Sequence, residues 1–159
     1  MVKQRDVVRM TDAEAWAYIE TQRDMHVATI GKDGTPHLTT NWFAVVDGHV
    51  VFTSYQTSQK IVNLARDPRI TLLFADGRMY ADLRGVSVKG SAEFISDAPQ
   101  RDRTFGAIFQ RNLAFYGAVD TSIAKRAVAA DRRVCVKIIV ERLISWDHRK
   151  LDSGREAAL

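Results

Sequence analysis

Two Asp-Gly pairs, Asp33-Gly34 and Asp47-Gly48, punctuate a run of short β-rich segments, and no other feature restricts the fold of this chain as much. The order is HVATIG, the turn KDGT, PHLTTNWFAVV, Asp47-Gly48 and HVVFTS. Glycine supplies the positive φ that a tight, twist-matched hairpin turn needs, so the stretch is expected to form an antiparallel meander.

Helical patterns flank this core. Thr11-Asp12-Ala13-Glu14 has the form of a capping box, and Trp16, Tyr18, Ile19 and Met25 follow in roughly helical spacing, which predicts a helix over about 12 to 23. In SQKIVNLARD the period changes: Ile61, Leu64 and Ala65 share a helical stripe, Ser58 stands at the cap position and Asp67-Pro68 ends the segment. RITLLFA and LRGVSVKGSAEFIS return to strand composition, with Gly85 and Gly90 placed where a long strand bulges or bends. From Ala98 to about Ala130 the pattern is helical, with Phe105, Ile108, Phe109 and Leu113 as its buried face and a break at residues 117–120. A last strand, RVCVKIIV, leads to ERLISWDH and a polar tail. About six strands with a short helix between the third and fourth predict a mainly β fold: a small closed or nearly closed antiparallel barrel with peripheral helices.

With 159 residues, 46% of them hydrophobic, the chain suits a single domain over 1–159, with 1–10 and 152–159 expected as flexible tails. Nothing approaches the roughly 18 apolar residues of a membrane span, and the start, MVKQRDVVRM, lacks a secretory apolar run, so the expectation is a soluble cytoplasmic protein with no membrane partner. Lys and Arg number 23 against 19 Asp and Glu, and they are spread along the chain. That distribution suits an anionic small ligand and argues against nucleic acid, which favours basic residues concentrated on one element. The lone Cys135 lies in VCVKIIV and is expected to pack as a small hydrophobe. His26, His37, His49 and His148 have no metal-ligand spacing, so no metal site is expected.

Two stretches carry candidate chemistry. Alternation along PHLTTNWFAVV puts His37, Thr39, Asn41, Phe43 and Val45 on one face and Leu38, Thr40, Trp42 and Ala44 on the other. The polar face is either a solvent face or a ligand floor. In TSYQTSQKIVNLARDP, Thr53 and Ser54 end a strand, Thr57 and Ser58 precede a helix, and Lys60 sits in its first turn, where free amides and the helix dipole attract anions. An anion cradle and a plain capped turn with a solvated lysine both fit these residues.

The order and wording of ATIGKDGTPHLTTNWFAVVDGHVVFTSYQTSQKIVNLARDPRITLLF, followed by LRGVSVKGSAEFI, resemble the split-barrel flavin-binding superfamily of pyridoxamine-phosphate-oxidase-like proteins. The most telling piece runs from Ser58-Gln59-Lys60 through Asn63-Leu64-Ala65-Arg66-Asp67-Pro68-Arg69. The resemblance implies a six-stranded split β-barrel and a homodimer that binds FMN, the deazaflavin coenzyme F-420 or occasionally haem at the subunit interface. It assigns Thr53 and Ser54 to strand-end positions near the cofactor phosphate, and Ser58, Gln59 and Lys60 to the phosphate-binding turn. Thr39, Thr40, Asn41 and Trp42 match the strand under the ring system. Arg84 and Gly85 match a later strand that reaches the cofactor, in some members from the second subunit.

The vitamin-B6 oxidases of this superfamily usually carry an arginine early in the second strand, where this chain has His37-Leu38-Thr39-Thr40. The sequence is more similar to the deazaflavin-dependent branch, in which a basic groove holds a polyanionic tail and the ring transfers hydride to a small organic acceptor. Lys60, Arg66, Arg69 and Arg84 are the expected source of that charge. In such enzymes the cofactor performs the redox step while the protein binds and orients, so no acid or base is named. The alternatives are an FMN-dependent oxidase or reductase and a non-catalytic flavin or haem binder. Trp146, in SWDHRKL, is either a rim over a neighbouring subunit's pocket or a tryptophan closing the barrel.

Overall fold

The structure is a computed structural model that describes residues 3–116 and 132–151. Both Asp-Gly turns form the expected hairpins. The first joins β1 (Met25–Ile30) to β2 (Pro36–Asn41), with Gly34 at φ 83° and the Asp33 carboxylate accepting from the Thr35 amide at 3.0 Å. The second joins β3 (Ala44–Val46) to β4 (His49–Tyr55) through Asp47 at φ 51° and Gly48 at φ 75°, the double positive φ of a two-residue turn that matches strand twist.

The strands β5 (Arg69–Asp76), β6 (Arg84–Ile95) and β7 (Arg133–Asp147) complete a single antiparallel sheet in the order β2-β1-β5-β6-β7-β4-β3. The predicted six strands become seven because PHLTTNWFAVV divides at Trp42-Phe43. Its first half pairs with β1 at one margin and its second half with β4 at the other, so this short stretch joins the two margins of the curled sheet. Asn41 supports the division: its side-chain amide donates to the carbonyls of Trp42 at 2.8 Å and Thr53 at 3.3 Å. Phe43, fully buried, turns inward and meets Phe74 edge-on, with ring centroids 4.9 Å apart.

Alternation fills the interior with Met25, Val27, Phe52, Leu72, Phe74, Val86, Val88, Val136 and Ile138. A smaller apolar layer lies on the other side of the sheet, where Ala44, Val51, Ile95 and Cys135 pack under Ile108 of α4 (Ala98–Tyr116). The buried stripe of α4 is Thr104, Ile108 and Asn112, while Phe105, Phe109 and Leu113 of the predicted face are half-buried. The predicted break at 117–120 and helix beyond it lie outside the described residues.

The last strand is longer than predicted and continues through ERLISWD, so Trp146 lies within it. A register shift between Lys89 and Gly90 accommodates this length, and a Cβ on Gly90 would lie 2.1 Å from the Ile139 carbonyl oxygen. Gly85 marks no bulge. The stretch 3–10, expected as a flexible tail, holds α1 (Gln4–Val7) and the buried Val8 and Met10, and the Asp147 amide donates to the Val8 carbonyl at 2.7 Å. Residues 152–159 lie outside the description.

Helix α2 (Asp12–Thr21) begins with the predicted capping box, Thr11 Oγ1 accepting from the Glu14 amide at 3.2 Å and Glu14 Oε2 from the Thr11 amide at 2.7 Å. No helix among the described residues is long and apolar enough to cross a membrane.

Candidate functional site

Strand β4 delivers Ser54, buried, to the start of α3 (Gln59–Arg66), through a turn closed by the Ser58 amide donating to the Tyr55 carbonyl at 2.9 Å. Ser58 occupies the predicted cap position, but its hydroxyl does not cap. It lies 2.9 Å from Ser54 Oγ, so the first amides of α3 receive no side-chain acceptor. Lys60 reaches back from the first turn and donates to Ser54 Oγ at 3.4 Å. Burial, and then the nearby charge of Arg133, hold the Lys60 ammonium below its ordinary pKa.

Arg133 is the residue that sequence reasoning missed. The register of β4 with β7 sets it opposite Tyr55, and its guanidinium carbon stands 4.2 Å from the Tyr55 ring centroid. Its Nε is buried and has no hydrogen-bond partner. Among the described residues, no carboxylate lies within ion-pairing distance of Lys60 or Arg133. Lys60 beside two hydroxyls and a free helix N-terminus, with the Arg133 charge nearby, forms a place where a bound anion would supply the missing counter-charge. In sequence, Arg133 sits in DRRVCVK, and only strand pairing shows which turn it joins.

The other arginines expected to supply positive charge are engaged. Arg69 pairs with Asp67 at 2.7 Å, and its hydrogen bond to Asp67 is the main reason that carboxyl is held down to about 2. Arg84 pairs with Asp76 at 3.0 Å, and Arg66 donates to the Ile30 carbonyl. Of the four cations expected to build a basic groove, Lys60 alone stands in the cluster described above.

The second-strand residues divide between two faces. Thr39 pairs opposite Val27 and Asn41 opposite Met25, which places them on the inner side of the sheet, half-buried, with Thr39 Oγ1 buried and without a partner. Thr40, opposite His26 and 3.3 Å from its Nδ1, faces outward with Leu38, which is 65% exposed. Asn41 joins the Ser54 region through its bond to the Thr53 carbonyl, and Trp42 packs on the outer apolar layer. Gln59 turns along its own helix to Asn63 at 2.9 Å, and the buried Asn63 amide donates to Thr29 at 3.0 Å. That chain ties α3 to β1.

Arg84, Gly85 and Trp146 form a separate group. Arg84 lies over Tyr18, 5.1 Å from the ring centroid, and its carbonyl accepts from the Tyr18 hydroxyl at 3.2 Å. Gly85 pairs with Trp146, whose indole occupies the space a Cβ would need, 2.2 Å from the ideal position. Among the described residues no hydrogen bond or ion pair links this group to Ser54, Ser58 or Lys60. The polar residues after Trp146 are held within the chain: Asp147 by Arg149 at 2.6 Å, His148 by the Tyr80 carbonyl at 2.8 Å, and Lys150 by Glu14 at 2.8 Å.

Nucleophilic chemistry is poorly served by the cysteine. Cys135 is fully buried, and burial pushes its thiol up to about 11, so it stays protonated at neutral pH. Among the described residues, no group of three or more His, Cys, Asp or Glu is placed to hold a metal. What the arrangement offers is anion binding next to a half-buried strand of hydroxyls and amides.

The sequence pattern of the pyridoxamine 5'-phosphate oxidase family matches residues 11–147. A curated pyridoxine/pyridoxamine 5'-phosphate oxidase from Kineococcus radiotolerans is 39% identical over 74 residues, a match that spans 46% of this chain and 32% of that protein. The crystal structure of the conserved hypothetical protein Rv2991 from Mycobacterium tuberculosis is similar over 95% of this chain and 93% of its own, with 39% identity and a TM-score of 0.81. A solved F420 reductase shares the fold at 23% identity, with a TM-score of 0.61 over 80% of this chain and 93% of its own.

Proposed function

The chain belongs to the pyridoxamine 5'-phosphate oxidase family of flavin-binding oxidoreductases, and from that premise we propose that it holds reduced coenzyme F-420 and passes hydride to a small electrophilic organic acceptor. The observation that carries this reading is Lys60, a half-buried cation without a carboxylate at the hydroxyls of Ser54 and Ser58, with the charge of Arg133 nearby. A phosphate group is the ligand chemistry such a cluster fits, since charge-assisted bonds to phosphate offset the cost of desolvating both cations. The deazaflavin ring, when bound, supplies the hydride chemistry; the protein supplies binding and orientation.

In this reading Ser54, Ser58, Lys60 and Arg133 hold the phosphate, with Gln59 contributing a backbone amide. Thr39, Asn41 and Thr53 form the adjoining half-buried wall. Arg84, Gly85 and Trp146 stand apart from that cluster, so any part they take in the same site comes from a second copy of the chain in a homodimer.

FMN is the second reading, and a specific observation favours it. Arg69 and Arg84 are neutralised by Asp67 and Asp76, which leaves less free positive charge for a polyanionic tail than the sequence promised. Fluorescence titration of purified apoprotein with each cofactor, followed by cofactor oxidation across a panel of acceptors, separates the possibilities. Tight FMN binding with no response to F-420 would overturn the first reading, and loaded protein that never oxidises its cofactor would make it a binder rather than an enzyme.

A further inference from the structure

A second concentration of unpaired positive charge lies where the N-terminal segment packs along β7. The Met10 amide donates to Ser145 Oγ at 3.1 Å and the Ser145 hydroxyl donates to the Met10 carbonyl at 3.2 Å, which fixes the segment against the strand. Between α1 and residues 142–145 remains a cleft of about 460 Å³. Lys3, Arg5, Arg9 and Arg142 line it, with Asp6 as the one acid and Leu143 as part of an apolar wall. Its volume is that of a small-molecule site.

Several other cations are spent on neighbours, as in Arg23 with Asp24, Arg69 with Asp67, Arg84 with Asp76, and Arg149 with Asp147. Among the described residues none of the four cleft cations has an ion-pair partner. A second observation concerns the sheet beside the cleft. The register of β6 with β7 sets Lys89 directly opposite Arg142, and like charges at opposed strand positions repel. Lys89 also lacks an ion pair among the described residues. An anion in the cleft supplies a counter-charge to Arg142, which lines it.

We propose that this cleft is a binding site for a small organic polyanion carrying several phosphate or carboxylate groups, separate from the Lys60 cluster. Four cations around one cavity match several negative groups better than one, so selectivity for polyvalent over monovalent anions is the signature of the site.

Isothermal titration with tripolyphosphate, tetraglutamate and orthophosphate tests this, using full-length protein with Lys60→Ala to silence the other anion cluster. Tripolyphosphate or tetraglutamate is expected to bind at least about tenfold more tightly than orthophosphate, and to weaken by about tenfold or more when Arg9→Gln and Arg142→Gln are added. Preference for tripolyphosphate points to a phosphorylated ligand and preference for tetraglutamate to an oligocarboxylate, and either supports the site. Both arginines are exposed, so unchanged thermal unfolding of the variants checks that the fold is intact. Affinity indifferent to the two arginines, affinity equal for orthophosphate and tripolyphosphate, or loss of all binding on Lys60→Ala alone would each overturn the proposal.

Discussion

Ser58 Oγ lies 2.9 Å from Ser54 Oγ, and this contact decides what the start of α3 can do. A serine at this position usually satisfies one of the first helical amides. Here the hydroxyl turns to the strand instead, and the amides stay available to an outside acceptor. The arrangement forgoes some helix stability and gains a cluster ready for an anion.

Replacing Ser58 by aspartate should expose that trade. In Ser58→Asp a carboxylate can cap α3 and face Lys60 and Arg133, so the apoprotein is expected to gain roughly 0.5 to 2 kcal/mol in stability. The same carboxylate occupies the place of the ligand's phosphate, and cofactor affinity should fall by about tenfold or more. Thermal unfolding and fluorescence titration measure the two effects. A variant that binds cofactor as well as the wild type would place the phosphate elsewhere.

Removing either cation should act on binding. Lys60→Ala and Arg133→Gln are each expected to cost roughly 1.5 to 3 kcal/mol of cofactor affinity, the range for hydrogen bonds to charged groups. Titration of both variants with F-420 and with FMN checks this. If Arg133→Gln binds normally while Lys60→Ala does not, the arginine serves only to stack on Tyr55.

The depressed pKa of Lys60 gives a pH signature with a definite sign. Burial and then Arg133 lower it in the folded protein, so the unfolded chain binds the proton more tightly. The protonated lysine therefore destabilises the apoprotein fully at neutral pH, and stability from this group rises as pH climbs between the folded and the unfolded pKa. Lys60→Met should accordingly be the more stable protein at pH 7, with its advantage shrinking toward alkaline pH. Melting curves over that range decide it, and an advantage that grows with pH would contradict the assigned cause. Bound phosphate should reduce the difference at neutral pH, because it favours the charged lysine.

The hairpins and the Thr11–Glu14 capping box were legible because local chemistry fixes them, whereas Ser58, read at a cap position, turns its hydroxyl to Ser54. Asp47-Gly48 forces its turn whatever surrounds it, and Thr11 with Glu14 closes a box within one helical turn. The division of the second strand was not legible, since Trp42-Phe43 continues the alternation and only the two different partners, β1 and β4, reveal the crossing. The same limit hid Arg133, which is remote in sequence from the Ser54–Lys60 turn and meets Tyr55 of that turn through strand pairing. It also made Arg69 and Arg84 look available: Asp67 stands close to its partner in the sequence, yet for Arg84 the partner is Asp76 on the neighbouring strand.

Gly85 illustrates a residue whose reason is a single side chain. A Cβ there would lie 2.2 Å from Trp146, so Gly85→Ala should destabilise by about 1 to 3 kcal/mol through overpacking. In a Trp146→Val background the same change should cost far less, because the obstructing ring is gone. A double-mutant cycle in urea reads the coupling directly. Additive effects would mean that backbone conformation, and not the indole, demands the glycine.

Arg111 is expected to be among the most sensitive positions outside the cofactor cluster. Its guanidinium lies 4.4 Å from the Phe43 ring centroid, donates to the carbonyls of Glu20 at 2.8 Å and Gln22 at 2.7 Å, and pairs with the Glu20 carboxylate at 3.1 Å. One side chain of α4 thus caps the end of α2 and covers the phenylalanine at the point where the second strand divides. Arg111→Ala should cost about 3 kcal/mol, because carbonyls at a helix end lose a charged donor and Phe43 loses its cover. Arg111→Lys keeps the charge but lacks the planar fork that reaches several carbonyls, so an intermediate loss is expected. Urea unfolding gives the magnitudes, and amide exchange gives the place: protection should fall first in α4 and at the end of α2, with the α3 start largely unchanged. A loss below about 0.5 kcal/mol, the scale of an ordinary surface substitution, would show that α4 is held by its apolar contacts alone.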